Sequence, residues 1–318
     1  QPYTERYLGI ILLGAPFMTG SFTMNNQMRF QGNATFAMYG IVSGALLNLI
    51  LAPLFIFVFK MGITGAATAT VLSQATSFGI LLHMTHHKRN ISIQPKAFTP
   101  TAAFFKEIVM GGTPSLSRQG LGSIATIMLN VAAGAYGDAA IAGMSIVNRI
   151  SYFVFSVIIG LGQGFQPLCG FCYGAKLYSR VRQGYMYCVK IGTIALTVTA
   201  IMGCAFAEPI VQEFRHDPHV VAIGAVAFRW QLLTFPLMST IILTNMLMQT
   251  IRKPVSANLV AAARNGLFFI PLIMILPHFF GLSGVEMCQA MSDLCAFSLS
   301  VPIAWNAFKQ MRKLEKRA

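Results

Sequence analysis

The chain has 318 residues, of which 55% are hydrophobic and 10% are charged, and its mean hydropathy is +0.63. A soluble domain carries about 25% charged residues, so this composition excludes an ordinary soluble fold and indicates an integral membrane protein. A formal net charge of +14 would suggest nucleic acid as a partner of a soluble chain. In a membrane protein the same charge is explained by basic cytoplasmic loops, so we expect a lipid bilayer and no nucleic acid as partner.

Nine apolar stretches are long enough to cross a bilayer as helices, since about 20 residues suffice. The alternating segments of about ten residues that build a membrane β-barrel are not found in the sequence. The fold class predicted is therefore all-α and integral to the membrane. The predicted spans are approximately 7–28, 36–59, 63–84, 104–135, 139–172, 182–206, 220–248, 255–278 and 284–308.

The loops between these spans alternate strictly between basic and non-basic. Basic loops remain in the cytoplasm, so the alternation predicts a multi-pass protein of the plasma (inner) membrane with a cytoplasmic C-terminus. The basic residues of these loops and of the C-terminal tail are His86, His87, Lys88, Arg89, Lys96, Lys106, Lys176, Arg180, Arg182, Lys190, Arg252, Lys253, Lys309, Arg312, Lys313, Lys316 and Arg317.

Residues 45–78 and 262–297 resemble each other, which indicates an internal repeat. The matching pairs are Pro53 with Pro271, Gly62 with Gly281, Gly65 with Gly284 and Gln74 with Asp293. Six spans separate corresponding helices, an even number, so the two copies point the same way. This is a parallel repeat about the membrane normal, which is a transporter architecture.

The repeat also predicts the domain organisation. Residues 1–100 are expected to form the C-terminal half of an N-terminal lobe, with three helices, and residues 101–318 a complete C-terminal lobe of six. If the repeat is exact, about three helices, or about 120 residues, precede residue 1 in the intact protein. We therefore expect nine spans of a twelve-helix protein, and no transport by residues 1–318 alone.

The apolar segment 139–176 carries polar side chains at positions where lipid offers no partner. Asn148 and Arg149 lie near its start, and Gln163 and Gln166 lie towards its end. Unpaired polar groups in hydrocarbon are costly, so we expect them to face a protein interior or a water-filled cavity.

The same segment concentrates small and bend-forming residues, Gly160, Gly162, Gly164 and Pro167, within eight positions. Glycines allow a neighbouring helix to approach closely, and a proline frees a backbone carbonyl and permits a bend. We predict a hinge here.

Asp293 is the sharpest candidate for a functional charge, because it lies about ten residues into the last span and a carboxylate at that depth is expensive. It is interpreted as a proton or sodium site or a contact for a cationic substrate. The alternative is a structural ion pair with Arg264 or Arg118. Further substrate- or cation-binding candidates, each with the alternative of bridging helices or pairing with carbonyls or lipid phosphates, are Gln163, Gln166, Asn130, Asn148, Arg118, Gln119 and Asn245.

Neither a metal site nor a catalytic centre is expected. Cys169 and Cys172 form a lone CxxC without a second pair, which does not favour zinc. The sequence contains no HExxH motif and no arrangement that suggests a nucleophile with its base. We expect no enzyme and no cofactor.

Three stretches carry a resemblance to a known family. GLGQGFQPLCGFCYGAK (160–176) resembles a signature of the multidrug and toxic compound extrusion (MATE) transporters. MGGTPSLSRQGLGSIATIMLN (110–130) is similar to that family's seventh helix, and NNQMRFQGNATFAMYGIVSGALLNLILAPLFIF (25–57) to its fourth-to-fifth helix junction. The chain would supply helices 4–12 of a two-lobe bundle.

The resemblance implies a secondary-active multidrug efflux antiporter. Such a protein exports organic, often cationic, compounds in exchange for Na⁺ or H⁺ by alternating access, and we expect a monomer with small organic substrates. Two differences from the family's pattern limit how many of its functional residues can be assigned to this sequence. The family's first helix, with its coupling carboxylate, is not in this sequence, and residues 117–123 lack the glutamate that some members have in the seventh helix.

Two alternatives remain open. A flippase for lipid-linked precursors or polysaccharides of the same superfamily would require a more strongly charged central cavity. A non-transporting membrane scaffold would not need repeated halves with inward-facing polar residues.

Overall fold

The computed structural model describes residues 2–85 and 100–316, which are helical apart from short turns and contain no strand. The chain divides into two compact units, Gln1–Thr99 and Pro100–Ala318, called unit 1 and unit 2 below. The predicted basic loop at 86–96 and the tail residue Arg317 lie outside the described residues.

Unit 1 contains three helices. α1 spans Pro2–Phe30, α2 spans Ala34–Pro53 and continues as a π-helical turn over Leu54–Val58, and α3 spans Gly62–Thr85. α3 packs against both α1 and α2. Met28, Ala37 and Leu81 are buried where the three helices meet.

Unit 2 contains eight helices and one π-helical turn. They are α4 (Ala102–Gly134), α5 (Asp138–Gly174), α6 (Tyr178–Ala205), α7 (Ala207–Phe214), α8 (Pro218–Thr250), α9 (Pro254–Ala262), the π-helical turn Ala263–Leu267, α10 (Phe269–Phe280) and α11 (Leu282–Glu315). α8 is the central helix, since α5, α6, α7, α9 and α11 all pack against it.

Local sequence explains where α8 begins. The Asp217 carboxylate accepts a hydrogen bond of 3.0 Å from the His219 backbone N–H and so caps the helix. Pro218 occupies the first helical position, where its missing N–H costs nothing. Further along, the rings of Phe155, Phe228 and Phe235 pack in tilted and edge-on contacts at the centre of the main core.

All nine predicted spans are helical in the structure. Within residues 2–85 and 100–316, eight helical segments are long and apolar enough to cross a membrane. The ninth predicted span lies in α4, which is not among these eight segments and carries Lys106, Glu107 and Arg118. The short helix α7 between α6 and α8 was not predicted.

The predicted internal repeat is visible as matching local geometry in the two units. The Asn25 side-chain amide donates to the Ala37 carbonyl at 2.7 Å, and Asn245 donates to the Ala257 carbonyl at 2.8 Å, 220 residues later in each case. Both bonds fasten the end of one long helix to the first turn of the next.

A second helix corner repeats in the same way. Gly62 has φ +56° and Gly281 has φ +58°, a left-handed conformation that glycine adopts without strain. The two glycines begin α3 and precede α11 respectively, so the repeat preserves the backbone of the corner as well as its sequence.

Candidate functional site

Asp293 lies at the centre of a buried polar network in unit 2. Its side chain is 0% exposed. The carboxylate oxygen Oδ1 accepts hydrogen bonds from Arg264 Nε at 2.7 Å and from Gln289 Nε2 at 3.0 Å. Thr234 Oγ1 lies 3.4 Å from the other oxygen, Oδ2. The carboxylate is therefore compensated by one cation and by neutral donors from two further positions.

The partner Arg264 belongs to the π-helical turn between α9 and α10. Its guanidinium carbon lies 5.0 Å from the centre of the Phe155 ring, a cation–π contact. Its own backbone carbonyl accepts a hydrogen bond from Ser292 Oγ. The π-helical geometry, an insertion often found at functional sites, thus places the arginine against α11. Of the two partners that the sequence left open for Asp293, the structure selects Arg264.

The network continues into α8 and α5 through residues that sequence reasoning missed. Thr234 Oγ1 also lies 3.0 Å from the Gln231 carbonyl oxygen, and Ser151 Oγ donates to Gln231 Oε1 at 2.9 Å. Gln231 is only 4% exposed. The available signal was the spacing of Gln231 and Thr234, three residues apart and hence on one face of an otherwise apolar helix.

Unit 1 has a different chemistry at the equivalent position. Gln74 is the repeat counterpart of Asp293, and Gly14 is the counterpart of Thr234, 220 residues earlier on α1. A Cβ built on Gly14 would lie 2.7 Å from Gln74 Oε1, so the two positions face each other in unit 1 as Thr234 and Asp293 do in unit 2. The same helix faces therefore hold a neutral amide in one unit and an ion pair in the other.

A cavity of about 230 Å³ adjoins Gln74 in unit 1. Four side-chain oxygens on its walls are buried and have no hydrogen-bond partner among the described residues: those of Ser21, Asn48, Ser73 and Gln74. Buried acceptors are normally satisfied. A cavity lined in this way can hold water, a hydrogen-bond donor or a hard cation that prefers oxygen ligands.

The structure separates the other predicted site residues into three groups. Asn245 is buried and committed to the helix corner, since its Oδ1 also accepts from Gln249 Nε2 at 2.9 Å. Arg118, Asn130, Asn148, Gln163 and Gln166 are half-buried, and Gln119 is exposed. Ser117, beside Arg118, bonds the Asn258 side chain at 3.3 Å, which joins α4 to α9. The Asp293 partners described above, Thr234, Arg264 and Gln289, include none of these residues, and their binding role stays a prediction.

The predicted hinge segment is an uninterrupted part of α5 that includes Pro167. Gly162 faces α8 closely, because a Cβ there would fall within 2.2 Å of Met246 Sδ. Gly160 and Gly164 have open space where a Cβ would be. One glycine thus serves helix packing, and the hinge itself remains a prediction.

The described residues include no cluster of three or more His, Cys, Asp or Glu side chains that could hold a metal ion. All six cysteines are free, and Cys169 and Cys172 are buried in the second core cluster with Cys188. They serve there as small apolar side chains.

Two repeat-related helical units, each with a polar centre among helices able to cross a membrane, define a multi-helix membrane protein built on an internal repeat, an arrangement typical of transporters. The comparisons with known proteins identify the family. The MatE family profile matches residues 114–275. The chain belongs to the MatE family, and the resemblance stated from the sequence is confirmed.

Curated relatives and solved structures agree with this assignment. Multidrug export protein MepA of Staphylococcus haemolyticus (strain JCSC1435) is 27% identical over 300 residues, covering 93% of this chain and 65% of the relative. The crystal structure of MATE in complex with MaL6 matches with a TM-score of 0.87 and 25% identity over 98% of this chain and 70% of that chain. An outward-facing multidrug resistance MATE family transporter of the MOP superfamily matches with a TM-score of 0.88 and 24% identity, covering 98% and 71%.

The chain spans 65% of the length of the S. haemolyticus relative. It likewise spans 66% of multidrug export protein MepA of Staphylococcus saprophyticus, with 24% identity.

Proposed function

We propose that this protein is a secondary-active exporter of organic compounds that uses an ion gradient, Na⁺ or H⁺, and alternating access. The relatives' role in multidrug export and the membership in the MatE family support the class. The observation in the structure that carries the proposal is the chemical inequality of the two repeat centres: an ion pair at Asp293 and a cavity of unpartnered oxygens at Gln74.

An alternating-access cycle needs elements with two arrangements that a bound ion favours unequally. A cavity of neutral oxygens is suited to a ligand that enters and leaves, because its acceptors are unsatisfied without one. The compensated ion pair in unit 2 is suited to holding helices together. We assign ion or ligand binding to the unit 1 centre and a scaffold role to the Asp293 centre, with no catalytic chemistry and no cofactor.

In this proposal the protein is a monomer of the plasma membrane with its C-terminus in the cytoplasm. The bilayer and small organic molecules are its partners. The basic segments near Lys176, Arg252 and Lys309 support the orientation through the preference of Lys and Arg for the cytoplasmic side.

The proposal is tested by dye accumulation. Cells that lack their own exporters would express the protein from its gene, with any sequence that precedes residue 1, and be loaded with a fluorescent organic cation. We expect lower accumulation than in vector controls, and loss of the difference when an ionophore dissipates the gradient. Equal accumulation in all conditions contradicts the proposal.

A further inference from the structure

α6 presents one polar and basic face to the outside of unit 2. Arg180, Gln183, Tyr187, Lys190 and Ile194 follow each other at steps of 3, 4, 3 and 4 residues, and all five are exposed. Residues at this spacing lie on one side of a helix. This stripe is called the α6 face below.

Lys190 lies deep along this face. It is twelve residues from the start of α6, or about 18 Å along the helix axis. Neither Lys190 nor Arg180 forms a hydrogen bond or an ion pair with another described residue. An unpaired ammonium at the edge of the hydrocarbon is unfavourable, so its long stem must carry it towards a polar partner. Side chains on a helix lean towards its N-terminus, which here is the basic end of α6.

A shallow surface groove of about 550 Å³ lies along α6 at Lys190. Its walls are formed by Met186, Tyr187, Val189, Lys190, Thr193 and Ile194. The groove is apolar apart from the lysine amine and two hydroxyl groups. A cation beside an apolar groove is complementary to a molecule with an anionic head and a hydrocarbon tail.

The end of unit 2 next to Arg180 is strongly basic. Arg182 Nη2 pairs with Glu315 Oε2 at 3.3 Å, and Lys253 Nζ donates to Gln310 Oε1, so the start of α6, the α8–α9 corner and the end of α11 meet at this end. These three segments contribute nine cations against the single carboxylate of Glu315. The cations are Lys176, Arg180, Arg182, Arg252, Lys253, Lys309, Arg312, Lys313 and Lys316.

An exposed tryptophan marks the level of the lipid headgroups near the same end. Trp305 is 66% exposed and lies one helical turn before Lys309 on α11. Tryptophans concentrate at the boundary between hydrocarbon and headgroups. The Arg182–Glu315 pair brings α6 and α11 together at the basic end, and Lys190 and Trp305 lie eight and ten residues further along the two helices from it. Lys190 therefore lies near the level of Trp305, and Ile194 lies further into the hydrocarbon.

We propose that the α6 face binds one anionic phospholipid of the bilayer. The Lys190 ammonium holds the lipid phosphate, Tyr187 and Gln183 supply neutral hydrogen bonds, and an acyl chain occupies the groove beside Thr193 and Ile194. Arg180 and the basic end of unit 2 attract the negative headgroup to the site. This inference needs only a bilayer and does not depend on the transported compound.

Native mass spectrometry of the purified protein tests the site. Phosphatidylglycerol or phosphatidylcholine with identical acyl chains would be titrated and the affinity for the first bound lipid measured. We expect the wild type to prefer phosphatidylglycerol, and Lys190→Met to weaken that first binding by about five-fold while leaving phosphatidylcholine unchanged. Lys190→Arg keeps the charge and should keep the preference.

The matched control is Lys309→Met, which removes an exposed cation from the basic end but not from the α6 face. It should change the first phosphatidylglycerol affinity much less than Lys190→Met. Equal losses in both variants would show diffuse attraction by the basic end and overturn the site. No preference in the wild type, or no loss in Lys190→Met, would overturn it as well.

Helical content by circular dichroism confirms that each variant is folded. Ile194→Trp, which fills the groove, should weaken the binding of both lipids.

Discussion

The Arg264 guanidinium and the Asp293 carboxylate form a 2.7 Å ion pair in which the carboxylate is completely buried and the arginine side chain is 22% exposed. The pair joins the π-helical turn after α9 to α11. Because Gln289 and Thr234 add hydrogen-bonding groups, the carboxylate is well compensated. A charge held in this way is suited to fixing the packing of helices more than to capturing a mobile cation.

Replacement of Asp293 by Asn should destabilise unit 2 by about 3 kcal/mol, because removing one partner leaves the half-buried arginine without a counter-charge. Thermal unfolding of the protein in detergent measures this. The matched control is Glu208→Gln, which breaks the exposed Arg229–Glu208 pair of 3.0 Å. A pair so exposed contributes at most about 1 kcal/mol. Similar losses in the two variants would contradict the scaffold role of Asp293.

The Asp293→Asn variant also distinguishes a scaffold role of Asp293 from a role in ion coupling. If Asp293 only holds helices together, Asp293→Asn should lower the amount of folded transporter while the pH and Na⁺ dependence of transport per molecule stays that of the wild type. Gln74→Leu, which removes a polar wall of the unit 1 cavity, should change that ion dependence. Proteoliposome transport, normalised to folded protein, provides the measurement. A shifted ion dependence in Asp293→Asn with none in Gln74→Leu would reverse the assignment.

Asn245→Ala should destabilise the corner between α8 and α9 by about 1–3 kcal/mol, since the buried Ala257 carbonyl loses its side-chain donor. Asn25→Ala should have a similar effect in unit 1, where the bond to the Ala37 carbonyl is equivalent. Hydrogen exchange at the two corners reports each loss separately. A large loss of stability at one corner with none at the other would show that the two equivalent hydrogen bonds do not contribute equally to stability.

Gly284→Ala should destabilise α11 by about 1–3 kcal/mol or more by overpacking, because a Cβ there would lie 2.4 Å from the Leu276 backbone oxygen, which cannot rotate away. Gly160→Ala is the control. Its Cβ would meet no atom within 4 Å, and alanine is the better helix former, so stability should rise by up to about 1 kcal/mol. Denaturation of both variants tests the contrast, which a loss in Gly160→Ala would contradict.

Much of the fold could be read from the sequence because it depends on local, one-dimensional properties. Apolar length placed the nine spans, and the match of Gly62 with Gly281 indicated a repeat; the structure shows a positive φ at both glycines. α7 was missed because eight residues are too few to produce a hydropathy signal. The family assignment rested on contiguous motifs, which need no tertiary information.

The candidate site was harder to predict, because its contacts join residues far apart in the chain. The sequence identified Asp293 and offered two arginines as its possible partners. Arg264 is the partner because of a π-helical turn, which no local sequence pattern predicted. Gln231 and Thr234 were not predicted as site residues, because isolated polar residues are common in apolar helices. The unpartnered oxygens near Gln74 could be recognised only once three helices had been placed around them.

The sequence by itself determined that this protein crosses a membrane as a bundle of helices, that its halves repeat and that it resembles one family of exporters, because hydrophobic length, glycine conformation and motif spacing are properties of neighbouring residues. Only the tertiary structure decided which charges are paired, which oxygens lack partners and which face of α6 is exposed. These depend on how the helices pack, since a polar group's free energy in a membrane protein is set by the atoms that surround it.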